Sequence, residues 1–102
     1  MKSTLTEVFM QKTVRMFADP GHAWCAVPVE ELKELNIAHL ISGYSYHRND
    51  IAYLEEDCDL GIYMNRLKEL HPDMEFIFKE EHTNRESHIR NYKSYLLGTC
   101  FE

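Results

Sequence analysis

The sequence is poor in basic residues, in glycine and proline, and in long apolar runs. Eleven Lys and Arg stand against seventeen Asp and Glu, giving a net charge of −6. That deficit argues against direct duplex nucleic-acid binding, which displaces counterions with a basic surface. It leaves docking on a basic protein, mimicry of nucleic acid, or plain solubility. No apolar run approaches the ~20 residues of a membrane span, and residues 1–7 lack the apolar segment of a signal peptide. The expectation is a cytoplasmic protein with no membrane partner. Cys25, Cys58 and Cys100 are odd in number and form no C-x-x-C pair, so in a reducing compartment they are free thiols. The few Gly and Pro mark turns, with no repeat, low-complexity segment or linker. The 102 residues therefore read as one domain, with residues 1–12 a loosely docked lead-in.

An apolar fraction of 44% is enough for a globular core and too high for a disordered chain. Residues 13–18 mix β-branched and large apolar side chains and predict a strand. Asp19-Pro20-Gly21 predicts a tight turn, and residues 22–27 a returning strand. Pro28 opens a helix that runs to about residue 35 and ends at Asn36 or Ile37. Residues 42–50 are polar and aromatic and read as a loop, with a candidate strand at Tyr44-Tyr46. Ile51-Ala52-Tyr53-Leu54 reads as a central strand. Leu60, Tyr63, Met64, Leu67 and Leu70 follow one helical face, and Pro72-Asp73 stops that helix. In residues 74–80, Met74, Phe76 and Phe78 alternate with Glu75, Ile77 and Lys79, which predicts a strand with its large residues inward. Ile89, Tyr92, Tyr95 and Leu96 fit a short helix or an irregular segment lying across the sheet. The fold class is α+β, in the order β-β-α-β-α-β. A four-stranded, mainly antiparallel sheet is packed by two helices and followed by a polar C-terminal extension.

Glu55, Glu56, Asp57, Cys58 and Asp59 follow the central strand directly. Hard carboxylate oxygens suit a divalent cation or acid–base chemistry, but the spacing matches no Ca²⁺ loop. The alternative is the acidic start of a helix, with Asp57 or Asp59 as its cap and other acids paired to Arg85, Arg90 or Lys93. His22, Cys25 and Cys58, with His71, lack the second ligand pair of a zinc site, so neither metal nor cofactor is expected. A Cys58–His22 nucleophile pair, with Asp59 and Arg90, is the enzyme reading. Tyr44, Tyr46, Arg48, His88, Arg90 and Tyr92 interleave aromatic and basic groups. That mixture suits a protein interface, and in principle a single strand or a phosphate ligand.

Asp19-Pro20-Gly21-His22-Ala23-Trp24, Ile41-Ser42-Gly43-Tyr44-Ser45-Tyr46, Tyr53 through Asp59, and Ser87-His88-Ile89-Arg90-Asn91-Tyr92 together resemble a family of small uncharacterised phage, prophage and plasmid proteins. The likeness spans roughly residues 13–95. It implies an accessory protein of a mobile element, such as an anti-CRISPR or anti-restriction inhibitor, and carries over no catalytic residue. The expected function is a binding module that occludes a host protein or nucleoprotein. Its contact residues are Tyr44, Tyr46, Arg48, Glu55, Glu56, Asp57, Asp59, His88, Arg90 and Tyr92. The alternative is a small enzyme or ligand-binding domain using His22, Cys58, Asp59 and Arg90.

Overall fold

The turn at Asp19 sets the first hairpin. The Asp19 N–H donates to the His22 carbonyl at 2.8 Å, and the Asp19 carboxylate accepts the Gly21 and His22 amides at 2.9 Å each. Strands β1 (Gln11–Ala18) and β2 (Ala23–Pro28) flank it, antiparallel, with Phe17 opposite Trp24. Alternation gives the sheet two chemically different sides. Val14, Met16, Cys25 and Val27 enter the main apolar core on one side; Phe17 and Trp24 belong to the other.

The computed structural model describes residues 10–95. Helix α1 (Val29–Glu34) follows Pro28 directly. It ends as predicted, with Asn36 in the left-handed region at φ 60°. The Ile37 N–H reaches back to the Leu32 carbonyl at 3.0 Å, which closes a Schellman-type cap. A 3-10 turn (Ala38–Leu40) leads to β3 (Tyr46–Arg48) and β4 (Ile51–Glu55). Asn49 and Asp50 join these two strands with φ of 52° and 67°, the backbone of a two-residue hairpin turn. Helix α2 (Leu60–Leu70) buries Leu60, Tyr63 and Leu67, the face expected from their spacing. Strand β5 (Glu75–His82) and β6 (Lys93–Ser94) follow, with a 3-10 helix (His88–Asn91) between them.

The fold is α+β: the described residues form two α-helices and one mixed sheet of six strands in the order β5-β1-β2-β4-β3-β6. The expected count of four is corrected, because β3 and β6 are short, polar and without an apolar period. Their pairing comes from neighbouring strands, which periodicity does not reveal. The β5–β1 pair is parallel and the other pairs are antiparallel. Strand β4 lies inside the sheet, as expected, and β4–α2–β5 is a crossover that passes β2 and β1.

Strand β5 also corrects the expectation of inward-facing large residues. Phe76 is half-buried, but Phe78 is 56% exposed and Ile77 37% exposed, because β5 is an edge strand. Gln11 and Lys12, assigned to the lead-in, pair with Glu75 and Phe76 of β5; residues 1–9 lie outside the described part. The predicted helix through Ile89, Tyr92, Tyr95 and Leu96 is replaced by the 3-10 turn and β6, with Leu96 outside the described residues. Residues 83–92 leave the β5 edge and cross the Trp24 side of the sheet, and β6 pairs with β3 at the opposite edge. They form a strap. Beyond it, the Tyr95 hydroxyl donates to the Ala38 carbonyl at 2.7 Å inside the core.

Candidate functional site

The strap covers an aromatic floor. Trp24 is 1% exposed yet lies outside the helix-side core. Its cover is the Arg90 guanidinium, 5.4 Å from the ring centroid, and the edge of Tyr46, with ring centroids 6.2 Å apart. Tyr53 meets Phe17 at 6.4 Å and Tyr92 of the strap at 5.1 Å. Ile89, 4% exposed, is the strap's apolar contact.

Asp19 fastens the strap. Its carboxylate accepts the Arg90 Nε at 2.6 Å, the Arg90 Nη2 at 2.9 Å and the Ser87 amide at 2.9 Å. Those bonds add to the two turn amides. The Arg90 guanidinium holds the Asp19 carboxyl far below the usual carboxylate range, with the three amides acting the same way against burial. Arg90 was expected to meet the acids of residues 55–59, and its partner is Asp19 instead. Gly21 allows the approach, since a Cβ there would stand 2.9 Å from the Arg90 Nη2.

The acidic run does not act as one cluster. Glu55 is buried; its Oε2 takes the His22 Nδ1 at 3.1 Å and its Oε1 the Asp57 amide at 2.8 Å. Asp59 is 2% exposed and occupies the N-cap position of α2 without a side-chain cap bond. Its carboxylate instead receives the Ser42 amide at 3.1 Å, the Ser42 hydroxyl at 2.7 Å and the Ser45 hydroxyl. Ser45, fully buried, also accepts the Glu55 amide at 2.9 Å. Asp59 is thus a brace between the 42–45 loop and β4, which corrects its expected capping role. Glu56 and Asp57 are exposed.

Three clefts border the strap. An open one of about 310 Å³ is lined by His22, Trp24, Tyr44, Tyr46, Glu55, Asp57, Cys58 and Arg90. It gathers His22, Cys58 and Arg90 of the enzyme set and Tyr44, Tyr46, Glu55, Asp57 and Arg90 of the binding set, with Asp59 buried beside it. A second, about 500 Å³, runs along Phe17, Tyr53, Arg85, Ile89 and Tyr92. The largest, about 770 Å³, holds Arg48, His88 and Tyr92 with His47, Asn49, Asn91 and Lys93.

The chemistry of the first cleft is that of an oriented imidazole. The Glu55 carboxylate orients the His22 ring through Nδ1, which leaves Nε2 as the ring nitrogen outside that contact. Cys58 is exposed, but its thiol is pushed up by burial of the sulfur's surroundings, by a hydrogen bond to Glu55 and by the charges of Glu55, Asp59 and Asp57. That is the reverse of an activated thiolate. Cys25 lies in the core, where burial pushes its thiol up to about 12. It is separated from His22 by the sheet, so the His22–Cys25–Cys58 metal set does not assemble. Among the described residues no three His, Cys, Asp or Glu side chains are grouped to hold a metal ion.

Sequence reasoning missed Asp19, Ser42 and Ser45. Asp19 was read only as the first residue of a turn. A serine 17 or 14 residues before an aspartate carries no signal that the two will meet. The structure separates the aromatic and basic residues into two neighbouring clefts: Tyr44, Tyr46 and Arg90 in one, Arg48, His88 and Tyr92 in the other. Among the described residues no helix is long and apolar enough to cross a membrane. No family model, no curated protein and no solved structure matches this chain.

Proposed function

We propose that the chain is a binding module that acts by occupying a partner's surface, with the strapped side of the sheet as its contact face. The observation that carries this reading is the layout of the aromatic and basic residues. Tyr44, 72% exposed, stands at the mouth of one open cleft, and Arg48, His88 and Tyr92 line the next. Broad open clefts with Tyr and Arg at their rims resemble an interface more than an enclosed reaction chamber. Arg90 is engaged by Asp19, so its role is to hold the face in shape. The partner is a host protein or nucleoprotein, such as a CRISPR or restriction complex. The support for that class is the resemblance of four sequence stretches to mobile-element accessory proteins. Immobilised wild-type protein exposed to host lysate should retain a specific partner, identified by mass spectrometry. Tyr44→Ala and Arg48→Gln, folded as the wild type, should each reduce that capture. Equal capture by both variants would contradict this face.

One observation favours a second reading, a small acid–base enzyme. His22 is held by Glu55 at 3.1 Å in a cleft that Tyr46 and Arg90 also line. On this reading His22 is the base and Glu55 its orienting group. Loss of a measured turnover in both His22→Gln and Glu55→Gln, with partner capture intact, would select it.

A further inference from the structure

We infer that the outer edge of β5 pairs, antiparallel, with the same edge of a second copy of this chain, joining two six-stranded sheets across a two-fold axis. Among the described residues β5 has β1 on one side and no strand on the other. An unpaired edge is a template for another strand. This one carries two exposed large apolar side chains, Ile77 at 37% and Phe78 at 56%. Register fixes the side each residue faces. Phe78 lies level with Val14 of the core, and Phe76 packs against that core, so both are on the helix side. Glu75, Ile77 and Lys79 alternate with them and lie on the other side.

The backbone is set to pair through the two phenylalanines. The Glu75 N–H donates to the Met10 carbonyl at 2.8 Å, and the Thr83 N–H to the Ala18 carbonyl at 2.9 Å. In a parallel ladder alternate residues bond to the same neighbour, so the odd positions of β5 turn to β1. The N–H and C=O groups of Phe76 and Phe78 therefore point outward, away from β1.

The side chains of the edge select the occupant. Glu75-Phe76-Ile77-Phe78-Lys79 is symmetric about Ile77 in size and polarity, with opposite charges at its two ends. Laid antiparallel on a second copy about Ile77, it sets Ile77 on Ile77. Phe76 of each copy meets Phe78 of the other, and Glu75 of each meets Lys79 of the other. Aromatic and opposite-charge cross-strand pairs are both favourable. The Phe76–Phe78 pairs are the hydrogen-bonded ones, as the outward N–H and C=O groups require, and the ion pairs take the closer positions between them and beyond. Other arrangements lose the match. Parallel pairing in register sets Glu75 on Glu75 and Lys79 on Lys79. A shift of two residues sets Glu75 against Glu81 or against Ile77, and a shift of one turns the two cores to opposite faces. Neither Glu75 nor Lys79 has an ion pair among the described residues. Such a contact uses the same patch on both copies and closes at two. Residues 75–79 line none of the three clefts around the strap, so the pairing is independent of the strapped face.

The test is sedimentation equilibrium of the full chain over a concentration series, with hydrogen exchange read at the Phe76 and Phe78 amides. The expected result is a reversible monomer–dimer equilibrium, with both amides slowed as the dimer forms. Glu75→Lys and Lys79→Glu each set like charges at both ends of the pairing and should weaken association about tenfold. An equal mixture of these two variants should dimerise as the wild type does, because positions 75 and 79 are then both lysine in one copy and both glutamate in the other. Phe78→Asp should leave a monomer. Thermal melting confirms that each variant is folded. A monomer at every concentration, a dimer that neither charge variant weakens, or a mixture no tighter than its components would each overturn the inference. Slow exchange at Phe76 and Phe78 in a monomer would overturn it too, and would assign the cover of this edge to the chain itself.

Discussion

Asp19 holds Arg90 by two parallel hydrogen bonds, Oδ2 to Nε at 2.6 Å and Oδ1 to Nη2 at 2.9 Å, across 71 residues of chain. The pair ties the Asp19 turn to the 3-10 helix (His88–Asn91) of the strap. The Asp19 side chain has no exposed surface, whereas Arg90 keeps 30%. Removing Arg90 alone therefore leaves a buried carboxylate with amide donors only, the costly way to break such a pair.

The pair sets a pH dependence with a defined sign. The folded-state pKa of Asp19 lies well below its unfolded value of about 3.9. Below that unfolded value the unfolded chain binds a proton that the folded chain refuses. The stabilisation by Asp19 is thus complete above about pH 5 and is lost progressively as pH falls toward the folded pKa. Asp19→Asn should be less stable than wild type at pH 7 and should lose less on going from pH 5 to pH 2. Parallel acid-denaturation curves for the two proteins would contradict this. Gly21→Ala, whose Cβ meets the Arg90 Nη2, should destabilise the strap in the same direction without altering any charge.

Trp24 is the largest side chain under the strap. Trp24→Ala should cost about 3–5 kcal/mol, the usual loss for a buried aromatic, measured by denaturant unfolding. A loss below about 1 kcal/mol, the ordinary range for surface changes, would mean that the strap does not cover the indole in solution.

Cys58 offers a chemical reading of the first cleft. Its thiol is held up by Glu55 and the adjacent acids, so alkylation by iodoacetamide at pH 8 should be slower than for a free cysteine peptide. Glu55→Gln removes a hydrogen bond and a negative charge and should accelerate it, with peptide mapping to separate Cys58 from Cys25 and Cys100. Unchanged or slower alkylation in Glu55→Gln would remove Glu55 as the controlling group.

Much of the architecture was legible in the residues. Asp19-Pro20-Gly21 announced a turn, Pro28 a helix start, and the spacing of Leu60, Tyr63 and Leu67 a buried helical face, because each is a local signal. The short strands were legible only in part: the candidate strand at Tyr44-Tyr46 overlaps Tyr46–Arg48 at Tyr46 alone. Tyr46–Arg48 is ordered by its pairing with β4, and Lys93–Ser94 by its pairing with Tyr46–Arg48; two polar residues have no period to read. The candidate site was legible in part. His22 and Glu55 meet because they sit at adjoining ends of β2 and β4. The acids of 55–59 were misread as a unit, because successive positions leave a strand end in different directions. Glu55 faces His22 and Asp59 faces Ser42 and Ser45. Asp19 and Arg90, far apart in sequence, had nothing local to connect them.

The central claim is that the strapped side of the sheet is where a partner docks. Hydrogen–deuterium exchange of the protein alone and in complex with a captured host partner measures this directly. The account predicts new protection at residues 44–48 and 88–93, with β5 and α2 unchanged. Protection confined to the exposed edge at Ile77 and Phe78, with residues 44–48 and 88–93 exchanging as in the free protein, would contradict it.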